Sequence, residues 1–177
     1  MEQQELIEKC LKKNSKAQNL LYKRYVSKMY GVCLRFAKDK MEADDICQDG
    51  FIKVFNNLGS FRHEGSLEGW IRRTMVNTAI NYYKKSAKYA FHLDINEIEI
   101  AGTTQESPVD RLSAMELMEL IQQLPDGYRM VFNLNVIEGY THKEIGDKLN
   151  ISENTSKSQL SRARVALQKL IKKKHNT

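Results

Sequence analysis

Two short helical patterns meet at a tight turn near the carboxyl end of the chain, between Thr141 and Arg164. Thr141 and Glu144 have the spacing of a capping box, in which each side chain accepts a hydrogen bond from the other residue's backbone N–H. Asn150 stands in the turn, where a left-handed backbone is expected and Asn is the best substitute for Gly. Ser152 is a natural N-cap for the second helix. This arrangement predicts a helix-turn-helix.

The second helix of this motif runs into a segment whose charge has one sign. Residues 155–177 contain Lys and Arg but neither Asp nor Glu. Like charges along one helix repel each other, and an anionic partner would relieve that repulsion. Short polar side chains at a helix start reach base edges, and Lys or Arg further along hold phosphates. We therefore predict that this helix binds duplex DNA through Ser152, Glu153, Asn154, Lys157, Ser158, Gln159, Arg162 and Arg164.

For three further parts of this segment the sequence predicts local packing or charge contacts. Gly146 lies where two closely crossing helices leave little room for a side chain. Ser156 falls where motifs of this kind usually bury an aliphatic residue, so we expect slightly weaker packing there. Lys172–Lys174 lie beyond the motif, and we expect them to attract phosphate or to lie in a frayed end. A helical hairpin with a solvated basic face is the alternative interpretation of the whole segment.

The composition favours helices and an anionic partner. The 177 residues include only 9 Gly and 2 Pro, and the net charge is +6. The three cysteines have no paired spacing, so we expect small buried side chains in a reducing cytosol. No apolar run approaches the roughly 20 residues that span a membrane. With a polar start unlike a signal peptide, we expect a cytoplasmic protein without membrane insertion.

Apolar side chains recur at three- and four-residue steps in the first half of the chain, which predicts buried helix faces. One such series covers residues 20–36. Asp44–Leu58 is the clearest amphipathic helix, and Asn57 and Gly59 supply its stop. Ser66 is a plausible N-cap for the helix that follows.

The composition changes after residue 90, because acidic residues then appear without Lys or Arg as far as residue 110. Helical periodicity returns beyond this stretch, Pro125 ends the first new helix, and Gly139 closes a second apolar one over residues 130–137. We predict an all-α fold with two small helical domains joined by a flexible acidic linker. The predicted limits are residues 1–88 for the N-terminal helical bundle, 89–110 for the linker and 111–177 for the helix-turn-helix domain.

A second basic segment, residues 70–88, combines Lys and Arg with aromatic rings and amides. Trp70, Tyr82 and Tyr83 supply the rings, while Asn77 and Asn81 lie one turn apart on a shared face. Bases stack on rings and phosphates bind cations, so this segment suits single-stranded or splayed-base DNA. A core role for Trp70 and the tyrosines stays open as the alternative.

Together these motifs resemble those of bacterial RNA polymerase sigma factors. The segments similar to region two are Asp44–Phe55, Phe61–Arg62, Trp70–Arg73 and Val76–Ala79. The segments similar to region four are Leu124–Pro125, Gly139–Gly146 and Lys157–Arg164. With matches over roughly residues 20–85 and 112–170, the chain resembles the small extracytoplasmic-function (ECF) group, which carries only these two regions.

The resemblance implies a role for each segment. The exposed side of Asp44–Phe55 would dock on the clamp helices of the polymerase's largest subunit, through Asp45, Gln48, Asp49 and Ile52. The loop at 61–66 and the helix over 72–85 would capture and melt the minus-ten promoter element, through Phe61, His63, Arg72, Arg73, Asn77, Asn81, Lys84 and Lys85. The second helix of the helix-turn-helix would read the minus-thirty-five element as duplex. The implied partners are core RNA polymerase, promoter DNA and an anti-sigma factor. Ser156, and Gln159 where many relatives carry Arg, depart from the family pattern.

The predicted function is therefore a non-catalytic initiation subunit that binds free DNA weakly until polymerase holds both domains. The alternative is an autonomous helix-turn-helix regulator that dimerises through its N-terminal helices. Such a dimer would bury the Asp44–Phe55 face, whereas a sigma factor leaves it exposed for polymerase. An enzyme is disfavoured, because the histidines are scattered and no metal-ligand spacing, phosphate-binding Gly loop or nucleophile motif is present. We expect no catalytic residue, metal or cofactor.

Overall fold

The computed structural model describes residues 2–90 and 113–175, and all regular structure in those two ranges is helical. The predicted all-α class is confirmed. By their internal contacts the residues divide into two compact units, 1–79 and 80–177. The predicted linker over 89–110 lies outside the described residues from residue 91 onward, so the domain limits stay predictions. Within the described part of the chain, no helix is long and apolar enough to cross a bilayer.

The first unit begins with a helix that has no side-chain cap, and its other three helices begin at capped residues. The bounds of these helices are α1 Gln3–Leu11, α2 Ser15–Phe36, α3 Lys40–Asn57 with a 3₁₀ turn at Leu58–Ser60, and α4 Leu67–Ala90, of which residues 80–90 fall in the second unit. Asn14 accepts a hydrogen bond from the Ala17 N–H at 3.0 Å, and Ser66 accepts one from the Gly69 N–H at 3.0 Å, which confirms the cap predicted there. Helix α3 begins at Lys40 rather than at Asp44 because Asp39 caps it.

The core of the first unit draws on all four helices. Its fully buried members include Leu6, Leu21, Met29, Ile46, Leu58, Leu67, Ile71 and Met75. Each such side chain stabilises the fold by about 1.5–3 kcal/mol relative to an exposed one. Gly50 lets α4 approach α3 closely, because a Cβ at this position would overlap the thioether of Met75. The three cysteines are buried free thiols, as predicted.

Residues 113–175 of the second unit form four further helices. Their bounds are α5 Ala114–Gln122, α6 Asp126–Phe132 with a π turn at Asn133–Ile137, α7 His142–Leu149 and α8 Glu153–His175. Pro125 separates α5 from α6, as predicted, and Gly139 has a positive φ of 78° after the π turn. Ser113 and Glu116 form a capping box at the start of α5 that the sequence analysis did not include.

A buried arginine holds the turn between α5 and α6. Arg129 donates to the carbonyl oxygens of Leu124 at 2.8 Å and Gln122 at 3.3 Å, and it pairs with Asp126 at 2.6 Å. Carbonyl groups at the end of a helix lack partners within that helix, so the guanidinium satisfies two of them. The turn at Pro125 is therefore fixed by polar contacts as well as by the proline ring.

The end of α8 is packed rather than frayed. Ile171 is buried in the core that α8 shares with α5, beside Leu120 and Leu167. Lys174 pairs with Glu116 at 3.2 Å and lies 3.7 Å from Glu119. The expected frayed end is thus wrong for Lys174, which lies within α8 and pairs with α5, while the expected attraction of phosphate stays a prediction.

Candidate functional site

The helix-turn-helix forms with the local geometry that its sequence predicts. The Thr141 N–H donates to the Glu144 carboxylate at 2.8 Å, and the Glu144 N–H donates to the Thr141 hydroxyl at 3.2 Å. Asn150 is left-handed with φ 57° and ψ 46°, and Ser152 accepts from the Thr155 N–H at 2.9 Å. These contacts fix where α7 ends and where α8 begins.

The close approach at Gly146 is also confirmed. A Cβ on this residue would lie 2.7 Å from the carbonyl oxygen of Ile151, which is a backbone atom and cannot swing aside. The chain just before α8 therefore lies directly against α7. This backbone contact holds the start of α8 against α7.

Ser156, which stands where an aliphatic residue was expected, makes a buried hydrogen bond. Its side chain is 0% exposed, and its hydroxyl lies 2.9 Å from Nδ1 of His142. A buried hydroxyl without a partner would cost about 1–3 kcal/mol, so this hydrogen bond offsets the departure from an aliphatic residue. The pair joins the first turn of α7 to α8 across 14 residues of sequence, and no local sequence signal marks it.

The outward side of α8 carries most of the side chains predicted to bind DNA. The exposed members are Ser152, Glu153, Asn154, Lys157, Ser158, Arg162 and Arg164. Glu153 pairs with Lys157 at 2.7 Å, and this hydrogen bond, followed by the charges of His142 and Lys143, lowers the pKa of Glu153. Gln159 was expected to point outward, and this expectation is wrong. It is half-buried, and its amide lies over Gly127 of α6.

The first unit exposes a stripe along α3. Asp45, Gln48 and Ile52 lie on one side of the helix, all exposed, while Asp49 is half-buried at its edge. Ile52 is 52% exposed, and Met41, one turn before Asp45, is 72% exposed. Met41 escaped the sequence analysis because α3 begins earlier than its apolar pattern indicates. Exposed apolar side chains set among polar ones are typical of a docking surface.

A cavity of about 630 Å³ lies beside this stripe, between α2 and α3. Aromatic side chains form much of its lining, and the Tyr22 and Phe51 rings meet edge to face with centroids 4.8 Å apart. Gln48 and Ile52 of the stripe also line it. The stripe is therefore continuous with an apolar concavity that a partner side chain could fill.

The loop before α4 and one side of α4 hold the other predicted DNA contacts. Phe61 is only 7% exposed, and its ring packs between Trp70 at 5.8 Å and His63 at 4.8 Å. Its ring thus supports the loop instead of offering a free face. His63 is exposed with a positive φ of 60°. Trp70 is half-buried. Part of its ring therefore packs in the fold, and part remains accessible at the surface.

On α4 itself, four of the predicted residues occupy one face. Asn77 and Asn81 are exposed, and Arg73 one turn earlier and Lys85 one turn later are exposed as well. Arg72 and Lys84 are half-buried. Amides flanked by cations can contact bases and phosphates along one strand.

Within the described ranges, no group of His, Cys, Asp or Glu is arranged to hold a metal ion. The surfaces built by α3, α4 and α8 contain amides, cations and apolar side chains. Their chemistry is that of binding to protein and nucleic acid.

Comparison with protein families matches both halves of the chain. Residues 21–89 match the model described as Sigma-70 region 2, and residues 114–167 match the model described as Sigma-70, region 4. The first match contains the α3 stripe and α4. The second contains the whole helix-turn-helix.

Full-length relatives agree with these matches. The ECF RNA polymerase sigma factor SigW of Bacillus subtilis is 34% identical over 84% of this chain and 85% of its own length. The RNA polymerase sigma-H factor of Pseudomonas aeruginosa is 30% identical over 95% of this chain and 93% of its own. The ECF RNA polymerase sigma-E factor of Escherichia coli is 30% identical over 93% of this chain and 91% of its own.

A solved structure supports the fold. The sigma factor RpoE of Bartonella quintana, crystallised with the anti-sigma factor NepR, matches with a TM-score of 0.52 over 87% of this chain and 96% of that chain. Because the sequence identity is 19%, the likeness concerns the fold alone. With two region models in order and relatives aligned over most of their length, the chain belongs to the ECF group of the sigma-70 family of RNA polymerase sigma factors.

Proposed function

We propose that this sigma factor uses three surfaces in initiation: the α3 stripe to bind polymerase, and the 61–66 loop with α4 and the outward side of α8 to recognise the promoter. Sigma factors are transcription initiation factors rather than catalysts, and this one directs promoter recognition and transcription initiation by RNA polymerase. The observation that supports these assignments is the difference in exposed side chains between the three surfaces. The α3 stripe is acidic and apolar, whereas α4 and α8 expose cations and amides.

The α3 stripe suits a basic protein partner. Met41 and Ile52 offer apolar area at its two ends, and Asp45 and Gln48 lie between them. Carboxylates placed beside exposed apolar groups complement Lys or Arg on a partner and repel nucleic acid. We assign this surface to the clamp helices of the largest polymerase subunit.

The α4 face and the α8 face suit two forms of DNA. Helix α8 has its caps and its turn in place, so it can enter the major groove of the minus-thirty-five element with its polar start first. The α4 face offers Asn77 and Asn81 between cations, which suits unstacked bases of the melted minus-ten element. We assign Phe61 to the support of the loop that carries His63, since its own ring is buried.

None of the matched relatives supports an autonomous dimeric regulator. An anti-sigma factor is proposed as a further partner, by analogy with the Bartonella quintana complex. The site of action is proposed to be the cytoplasm, where RNA polymerase works.

The experiment that tests the docking surface is charge reversal with a matched control. Asp45→Lys places a cation in the middle of the α3 stripe, and Glu8→Lys makes the same change at an exposed position of α1. We expect Asp45→Lys to weaken binding to core polymerase by about tenfold or more, since like charges facing each other cost at least ~1.4 kcal/mol. Glu8→Lys should bind normally.

Both variants should keep the thermal unfolding midpoint of the wild type, because both positions are exposed. Binding is measured by fluorescence anisotropy of labelled chain titrated with core polymerase. Normal binding by Asp45→Lys, or an equal loss in both variants, would show that the α3 stripe is not the docking surface.

A further inference from the structure

A group of five exposed cations lies on the turn between α1 and α2 and along the exposed side of α2. Its members, the basic patch, are Lys12, Lys13, Lys16, Lys23 and Arg24. The three on α2 are spaced at i, i+7 and i+8, which places them on one face of the helix. The match to the region 2 family model begins at residue 21, so three of the five cations precede the part of the chain that this model describes.

The fold gives the basic patch no counter-charge, although it provides one for each neighbouring lysine. On one side Lys9 pairs with Glu5 at 2.7 Å, and on the other Lys28 pairs with Glu68 at 2.9 Å. Within the described part of the chain, none of the five cations between them forms an ion pair. Clustered like charges repel each other, so a bound anion would stabilise this surface.

Lys13 is a cation in a place where the backbone favours glycine. Its φ is 57°, and its N–H donates to the carbonyl oxygen of Cys10 at 2.9 Å, while the Asn14 N–H donates to that of Lys9 at 3.1 Å. This pair of hydrogen bonds is the Schellman motif, whose left-handed residue is usually glycine. A left-handed L residue costs roughly 1–2 kcal/mol. The turn thus presents an ammonium group despite its backbone conformation.

Two contacts place the basic patch beside the loop before α4. Leu11, the last residue of α1, lies against the 3₁₀ turn that precedes this loop, since its Cδ2 is 3.6 Å from the position that a Cβ on Gly59 would take. Lys28, one turn after the patch, donates to Glu68 at 2.9 Å in the first turn of α4, just after the loop. One end of the basic patch therefore lies near the start of the loop, and the other end lies near its finish.

The shape of the basic patch fits a nucleic-acid strand better than a compact anion. From Lys16 to Arg24 the helix rises by about 12 Å, so the cations form a line. A phosphodiester backbone carries its charges in a line, and sites for single strands combine such a line of cations with groups that contact bases. The α4 face, with its exposed amides, offers base contacts in the same part of the protein.

We propose that the basic patch binds the sugar-phosphate backbone of the single strand where that strand continues beyond the minus-ten element. The contacts are to phosphates, so they are independent of base sequence. This inference rests on the proposed assignment of the loop and α4 to the melted minus-ten element. It adds a second set of contacts to the same strand, from the first two helices of the chain.

The test compares two fluorescent single strands of DNA. One ends at the minus-ten element of a mapped promoter, and the other continues from it as a run of thymidines, placed on either side in separate probes. Each strand is titrated, by fluorescence anisotropy, with the preassembled complex of the chain and core polymerase. We expect wild type to bind the strand extended on one side more tightly than the short strand, with a steeper dependence on salt.

A double variant of the patch is matched by one outside it. Lys23→Gln with Arg24→Gln removes two exposed cations of the basic patch. Lys38→Gln with Lys40→Gln removes two exposed cations outside it. The patch variant should lower the salt slope on the extended strand by about 1.4, because each phosphate contact on a single strand contributes about 0.7. It should bind the short strand as wild type does, and the control variant should match wild type on both strands.

All four substituted side chains are exposed, so both variants should keep the thermal unfolding midpoint of wild type. An equal affinity of wild type for the short and extended strands would overturn the inference. An unchanged salt slope in the patch variant would overturn it as well. Weaker binding of that variant to core polymerase without DNA, beside an unchanged slope, would show that the basic patch docks an acidic protein surface instead.

Failure of the proposed function has a different signature. Asn77→Ala with Asn81→Ala should weaken binding to both strands, because these amides belong to the α4 face that the short strand contacts. Normal binding of the short strand by this variant would refute the assignment of α4. The patch variant is judged only by the difference between the two strands.

Discussion

Replacement of Gly146 by alanine probes how tightly the helix-turn-helix is built. In a helix interior, Gly→Ala is favourable by about 1 kcal/mol through propensity alone. At Gly146 the new Cβ would lie 2.7 Å from the carbonyl oxygen of Ile151, and such overpacking costs about 1–3 kcal/mol. The two effects leave α7 less stable than the wild type by up to about 2 kcal/mol.

Gly31→Ala is the matched control. This glycine also lies inside a helix, α2, and no atom approaches within 4 Å of the position that its Cβ would occupy. The same substitution should therefore stabilise α2 by about 1 kcal/mol. The steric contact with Ile151 is present at Gly146 and absent at Gly31.

Native-state hydrogen exchange measures both effects locally, on the amides of α7 and of α2. Gly146→Ala should speed exchange in α7 and weaken binding of the polymerase-bound chain to a minus-thirty-five duplex, because the start of α8 is displaced. Gly31→Ala should slow exchange in α2 and leave duplex binding unchanged. Slower exchange in α7 of Gly146→Ala would refute the steric reasoning.

Other predictions concern α8 and the caps around it. Arg162→Ala should weaken binding to upstream duplex, lower the salt slope by about 1, and spare binding to single-stranded minus-ten DNA, in titrations of the polymerase complex; equal losses on both DNAs would refute it. His142→Leu should cost about 1–3 kcal/mol in denaturant unfolding by orphaning the buried Ser156 hydroxyl, and adding Ser156→Val should recover most of it. Hydrogen bonds from Ser113, and Lys174 beside it, lower the pKa of Glu116 from 4.5 to about 2. Its stabilising effect is then present above pH 4.5 and lost as the pH falls towards 2, a dependence that thermal unfolding of Glu116→Gln should lack.

Local signals explain why so much of the helix-turn-helix could be predicted from sequence. The capping box at Thr141, the left-handed Asn150 and the cap at Ser152 each depend on residues within four positions of one another. Backbone hydrogen-bonding needs at helix ends are the same in every protein, so the residue types that meet them are recognisable. The same holds for Ser66 at the start of α4.

The contacts that escaped prediction join distant residues or place polar groups where they are rare. The hydrogen bond between His142 and Ser156, and the ion pair between Lys174 and Glu116, have no local sequence signal. Arg129 is buried because helix-end carbonyls surround it, whereas arginine is ordinarily a surface residue.

The same distinction applies to the binding surfaces. Sequence spacing placed Asp45 and Gln48 on one side of α3, and both are exposed. It did not reveal that Phe61 is buried or that Gln159 lies against α6, since both depend on packing between elements. Helical periodicity therefore identifies a face, and tertiary contacts decide which members of that face are available.

The central claim is that this chain directs RNA polymerase to promoters through two DNA elements. The most direct measurement is transcription by core RNA polymerase on a library of random-sequence templates, with and without the chain, followed by mapping of transcript 5′ ends. We predict new start sites that require the chain, that share one upstream duplex element and one minus-ten element, and that disappear with Asp45→Lys. Start sites that are unchanged by the chain, or that persist at full strength with Asp45→Lys, would contradict the account.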